Sequence, residues 1–168
     1  MEQQSTKLSA ALEAAYDEHA DAIFRHCYFR TFNRELGKDL LQETFLKVWE
    51  YMQKGQQIDN MRAFLYRIAN NLIIDHVRKH KEMSLEALQE AGFDPTGENE
   101  NSVTANLEEQ RILSVIGELS PENKELIIMR FIDGLKPQEI GELLGLAPNT
   151  VSVKIHRALK DLKSLLRP

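Results

Sequence analysis

A single cysteine, Cys27, in 168 residues leaves no internal disulfide to be made, and it places the chain in a reducing compartment, the cytoplasm. No apolar run approaches the ~18 residues that a membrane span needs, so no membrane association is expected. The amino terminus, MEQQSTKLSA, has no basic head followed by an apolar stretch, so no secretory signal is expected there. Glycine and proline are scarce before residue 92, and no stretch alternates with period two long enough to argue a strand. There is no glycine-rich phosphate loop, nucleophile elbow or paired-carboxylate site. An enzyme is therefore not expected, and neither is a cofactor or a resident metal. Most telling, residues 83–110 contain no lysine or arginine at all.

What is present is a soluble, globular composition: 42% apolar and 28% charged residues, with 26 acidic and 21 basic side chains and a net charge of −5. That size and composition allow one domain or two small ones, each with a real core. Helical periodicity dominates. Leu41, Phe45, Val48 and Met52 recur at three- and four-residue spacing and share one helix face, leaving Asp39, Gln42, Glu43, Lys47 and Glu50 largely on others. Leu65, Ile68, Ala69, Leu72, Ile73 and His76 form a second stripe, and Leu12, Tyr16, Ile23 and Cys27 a weaker one.

The stretch EAGFDPTGENENSVTAN then has the composition of a solvated linker. Periodicity resumes at Leu107. Ser120-Pro121 reads as a capped helix start, Gly134 as its left-handed end, Pro137 as the next start and Gly145 as the next stop. Val151, Ile155, Leu159, Leu162 and Leu166 form the buried stripe of the last helix. The fold class expected is all-α: two helical domains joined by an acidic flexible linker.

Charge is segregated along the chain. Residues 62–81 carry Arg62, Arg67, Arg78, Lys79 and Lys81 against Asp75, a net +4. Residues 82–110 carry eight acids and no base, a net −8. Residues 147–168 carry Lys154, Arg157, Lys160, Lys163 and Arg167 against Asp161, again +4. Two basic patches split by an acidic strap can each attract phosphate, yet the whole chain would bind free DNA poorly, because non-specific affinity follows the number of phosphates neutralised.

Residues 136–165 fit a helix-turn-helix, with Gly141 where the helices must cross closely and Gly145 in the turn. Ser152, Val153, His156, Arg157 and Lys160 share the face away from the leucine stripe. A solvated helix in a plain bundle is the competing reading. In FLYRIANNLIIDHVRKHK, residues 64–81, Arg67, Asn71, Arg78 and Lys79 offer donors for phosphates and base edges, and Phe64 and Tyr66 have the rings to stack on an unpaired base. Core packing of both aromatics is an equal alternative at this level. His76 and His80 have the i, i+4 spacing of a zinc pair but no evident third ligand, and His26 beside Cys27 is similarly isolated; packed side chains explain both better.

Taken in order, DLLQETFLKVWE, FLYRIANNLIIDHVRK and LSPENKELIIMRFIDGLKPQEIGELLGLAPNTVSVKIHRAL resemble the extracytoplasmic-function (ECF) sigma factors of bacteria, over roughly residues 11–166. The resemblance implies a region 2 domain over 8–82, an acidic linker over 83–105 and a region 4 domain over 106–168. It implies that Asp39, Leu40, Gln42, Glu43 and Phe45 dock on the β′ clamp helices of core RNA polymerase, with further contact to the β subunit. Arg67, Asn71, Asp75 and Arg78, with the loop before Phe64, would melt and read the promoter −10 element, Asn71 capturing an extruded base. Ser152, Val153, Lys154, His156 and Arg157 would read the −35 element, and the linker would thread toward the polymerase active centre. The implied partners are core polymerase, promoter DNA and an anti-sigma factor, and the free protein is expected to be a monomer.

Four positions depart from the family pattern: Phe64 replaces a usual tryptophan, Ala147 a capping serine, and Val153 and Asn149 a commoner Ser and Gly. Two other function classes compete. A self-sufficient helix-turn-helix repressor leaves residues 39–81 unexplained and predicts a dimer seam. A zinc enzyme or metal sensor would rest on His76 and His80 alone.

Overall fold

The structure, a computed structural model, describes residues 1–90 and 107–167, apart from the side chains of 84–90 and Glu109. Among the described residues every regular element is helical: α1 (Glu2–Thr31), α2 (Arg34–Gln53), α3 (Met61–Glu90), α4 (Leu107–Glu118), α5 (Pro121–Ile127), a one-turn π-helix (Ile128–Ile132), α6 (Pro137–Leu144) and α7 (Pro148–Leu166).

The joints follow from local chemistry. α1 stops at Phe32, which adopts φ 52°, the one left-handed non-glycine residue among those described. Its N–H bonds the Tyr28 carbonyl at 2.7 Å. The side chain of Asn33 then accepts the Leu36 N–H at 3.0 Å and caps α2, so two residues reverse the chain. Gly37 lets α2 lie close on α1, because a Cβ there would stand 3.3 Å from the Phe24 ring and 3.4 Å from the Tyr28 backbone. Asn60 caps α3 through the Ala63 N–H. Ser120 caps α5, with Pro121 at the first helical position, as the sequence predicts.

The stripes of α2 and α3 do form the core: Leu41, Phe45, Val48 and Met52 are buried against Leu65, Ala69, Leu72 and Ile73, with Ile23 and Cys27 from α1. Burial of side chains this size stabilises by ~1.5–3 kcal/mol each. One member of each of two expected stripes is exposed instead. Tyr16 lies edge-on to Phe45 at the rim, and Leu166 stands in solvent beyond the last turn that packs. α3 continues to Glu90, past the boundary drawn at residue 82, because no glycine or proline intervenes before Gly92. The rest of the expected linker, 91–105, lies outside the described residues.

The two helical units also pack on each other. Buried side chains run without a break from Ile23 and Leu65 to Leu135, Ile140 and Val151, with α1 against the π-helix and α3 against α6. Nothing in the periodicity of either half announces this contact.

Candidate polymerase and nucleic-acid interfaces

On α2, Asp39, Gln42 and Glu43 are exposed, and so are Leu46, Lys47 and Glu50, which continue the stripe at three- and four-residue steps. Leu40 and Phe45 are not part of that face. They are buried at 4% and 5% exposure, because their register places them with Leu41, Thr44 and Val48 on the side turned to α1 and α3. Leu46, 55% exposed in the middle of a charged face, is the residue the sequence reading missed; its place in the i, i+3, i+4 series was the available signal. The result is an acidic face with one exposed aliphatic side chain.

On α3, Arg67, Asn71, Asp75 and Arg78 are all exposed and follow one another at about one turn, so the helix brings them to one side. Arg78 and Asp75 are ion-paired at 3.2 Å, and both remain more than half exposed. Exposed pairs of this kind contribute little stability and leave both groups free to exchange partners. Phe64 is half-buried, with its ring 4.7 Å from Tyr51 and the Arg67 guanidinium 5.2 Å above it. It retains an accessible aromatic surface.

Tyr66 does not. It is 2% exposed, edge-on to His26 at 5.3 Å and under Arg62, so it is core and cannot stack on a base. Burial, with the Asp133 carboxylate nearby, pushes its hydroxyl up to about 12. Beside Phe64 lies a cavity of about 340 Å³ lined by Tyr51, Gln57, Asp59, Asn60 and Arg67, and closed on its far side by Leu135, Glu139, Glu142 and Leu143.

On α7, Ser152, Val153, His156, Arg157 and Lys160 are exposed on the face opposite Val151, Ile155 and Ala158, which are buried. Lys154 departs from the expected face: it is half-buried and held by Glu122 of α5. That ion pair spends part of its charge within the domain, and leaves Arg157 and Lys160 as the free cations of this face. The helix-turn-helix geometry itself is explicit. Gly145 ends α6 at φ 68°, and a Cβ on Gly141 would lie 2.5 Å from the Leu146 carbonyl oxygen. Ala147 occupies the N-cap of α7 and offers no side-chain bond to it.

His76 and His80 stack at 6.4 Å, and among the described residues no group of three or more His, Cys, Asp or Glu side chains is placed to hold a metal ion. Cys27 is fully buried; desolvation and Asp133 push its thiol up to about 12 despite Arg30.

A cluster no sequence pattern revealed joins the two units. His26 Nδ1–H donates to Asp133 Oδ2 at 2.5 Å, with both side chains buried. Arg30 bridges Asn70 Oδ1 at 3.0 Å and Glu125 at 2.9 Å. Arg62 donates to Glu139 at 2.7 Å and, more weakly, to the Asp133 carbonyl at 3.4 Å. Lys124 lies 3.9 Å over the Phe32 ring, and burial beside Arg30 lowers its ammonium to about 8.

An acidic exposed face on α2, a donor-bearing helix next to an aromatic cavity and a helix-turn-helix with a basic outer face are the features the comparisons with known proteins must account for. The family model for Sigma-70 region 2 matches residues 15–83, and that for Sigma-70 region 4 matches residues 109–162. The chain belongs to the ECF RNA polymerase sigma factors. Among similar curated proteins, ECF RNA polymerase sigma factor SigL of Mycobacterium tuberculosis is 28% identical over 160 residues, covering 95% of this chain and 90% of the relative. SigE of Mycolicibacterium smegmatis is 32% identical over 157 residues, 89% of this chain and 59% of the longer relative. Among solved structures, Bartonella quintana RpoE in complex with the anti-sigma factor NepR has the same fold, with a TM-score of 0.75 at 20% identity over 92% of this chain and 95% of that one. CnrH in complex with the cytosolic domain of CnrY gives 0.71 at 24% identity over 98% of this chain and 92% of that one.

Proposed function

We propose that this chain binds core RNA polymerase in the cytoplasm through the exposed face of α2, reads the −10 element with α3 and the −35 element with α7, and promotes strand separation between initiation steps. The observation that carries the reading is the presence of two exposed, donor-bearing faces on separate helices: Arg67, Asn71 and Arg78 on one, Ser152, His156 and Arg157 on the other. Each is held outward by a buried apolar stripe on the opposite side of the same helix. In this reading α1 to α3 form the region 2 domain and α4 to α7 the region 4 domain, with the acidic stretch between them lying in the positively charged channel of the polymerase.

The chemistry differs at the two faces. The half-buried Phe64, with the Arg67 guanidinium over its ring, suits a flipped base, which exists only after the duplex opens. The α7 face suits the major groove of intact duplex, where Arg157 and His156 can meet base edges; Val153, with no donor or acceptor, contributes apolar contact such as a thymine methyl. Asp39, Gln42, Glu43 and Leu46 supply an acidic face for a basic helical partner. Sigma relatives in complex with anti-sigma factors support a similar partner for this chain. The net acidity fits a factor that leaves non-specific DNA affinity to the polymerase. Electrophoretic mobility of a promoter fragment, selected from a run-off library, tests the reading. A specific shift is expected only when core polymerase and the chain are both present. A specific shift by the chain alone would support the dimeric repressor instead.

A further inference from the structure

We propose that Lys124, on α5, is an acylation site: its side-chain amine accepts an acyl group from a small activated donor, an acyl phosphate or a thioester. The amine is partly buried, with Nζ 3.9 Å over the Phe32 ring, and it has no hydrogen-bond or ion-pair partner among the described residues. The acids nearest to it in sequence are committed elsewhere, Glu125 to Arg30 at 2.9 Å and Glu122 to Lys154. Asp161 of α7 is held by Asn123 at 2.7 Å. Lys38 and Lys154, by contrast, each have a carboxylate.

The charged group that acts on Lys124 from α1 is a second cation, Arg30, held in place by Asn70 and Glu125. A lysine that is desolvated or set beside another cation is the kind that sheds its proton and becomes a nucleophile. Both conditions hold here: burial, and then Arg30, lower the ammonium from 10.5 to about 8. At pH 7.5 about a quarter of such an amine is free base, against ~0.1% for a lysine in water. Lower basicity weakens the nucleophile and partial burial limits access, which leaves a net advantage of about tenfold.

In the reaction the neutral amine attacks the carbonyl carbon of the donor. A C–N bond forms, and the bond from that carbon to the phosphate oxygen or the thioester sulfur breaks. The leaving group departs with the electron pair, and the surplus proton on nitrogen passes to water. The product is a neutral amide, which removes one of two neighbouring cations and exchanges the cation–π contact for a flat amide against the aromatic face. The platform for it is fixed by the backbone. Phe32 ends α1 in the left-handed conformation, with its N–H on the Tyr28 carbonyl at 2.7 Å, and this sets the position from which its ring meets the amine.

The test is the initial rate of acetylation of the full native chain, resolved by residue in a mass spectrometer, and it needs neither polymerase nor DNA. Acetyl phosphate is the donor in one arm and acetyl-coenzyme A in the other, with Nα-acetyl-lysine in the same tube as a reference amine. At pH 7.5 Lys124 should react about tenfold faster than the exposed Lys47 and Lys160. Its rate should level off above about pH 8, where that of Nα-acetyl-lysine keeps climbing. The preference should vanish in urea, and Lys124→Arg should lose the fast-reacting site while Lys47 and Lys160 label as before. Fast labelling by either donor supports the site, and the faster donor identifies the source of the acyl group. Labelling of Lys124 no faster than Lys47 and Lys160 with both donors would overturn the proposal. So would a preference that survives in urea, because local sequence rather than burial beside Arg30 would then set the reactivity.

Discussion

At the scale of single residues, the helix-turn-helix depends on one missing atom and lacks one useful one. With the Leu146 carbonyl oxygen 2.5 Å from where a Cβ would sit, Gly141→Ala must push α6 off the turn. It is expected to cost about 1–3 kcal/mol, read as a lower denaturation midpoint. Ala147 leaves the N-terminus of α7 without a side-chain acceptor, and Ala147→Ser should add about 1 kcal/mol, provided the serine takes the N-cap rotamer. Lys124 supplies a pH test. Its folded-state value of about 8 lies below its ordinary 10.5, so between those values the unfolded chain binds more protons, and stability from this group rises with pH. Cys27 and Tyr66 act oppositely, since their raised folded-state values, both about 12, lower stability above pH 9 and pH 10 respectively. Comparing Lys124→Met with wild type cancels the other two groups. The variant's thermal midpoint should gain most relative to wild type below pH 8, and the difference should shrink toward pH 10.

At the scale of elements, periodicity made the helices and their inner faces readable, and its resolution set the errors. The stripe that buries Leu41, Val48 and Met52 is unmistakable at 3.6 residues per turn. Whether Leu40 and Phe45 border the docking face or the core is a question of some tens of degrees, which only packing decides. Tyr66 was open between core and stacking for the same reason, and the α1 surface around His26 decided it. The α2 reading makes a separable prediction. Glu43→Lys, on the exposed side, should abolish pull-down of core polymerase while leaving stability within about 0.5 kcal/mol. Phe45→Ala should instead cost about 3–5 kcal/mol through the cavity it leaves. Pull-down by Glu43→Lys at the wild-type level would remove α2 from the docking surface.

At the scale of the whole molecule, the sequence carried the order of the two units and the basic patch on each, but not their contact. His26 and Asp133 stand 107 residues apart, and Arg62 and Glu139 stand 77 apart, so no local pattern can pair them. What the two units do together is tested most directly by a permanganate footprint of a selected promoter with core polymerase. Asn71 should act only once a base has left the stack, a step that costs a few kcal/mol, whereas Arg157 should act on duplex that is still closed, where a specific contact discriminates by ~1–3 kcal/mol. Asn71→Ala is expected to form the closed complex normally, lose the reactive thymines of the open region, and regain initiation on a template with a mismatched −10 bubble. Arg157→Ala is expected to lose the closed complex itself at promoters that depend on the −35 element, and to transcribe pre-melted templates nearly normally. Equal loss of the closed complex in both variants, with no rescue by the bubble, would contradict the account.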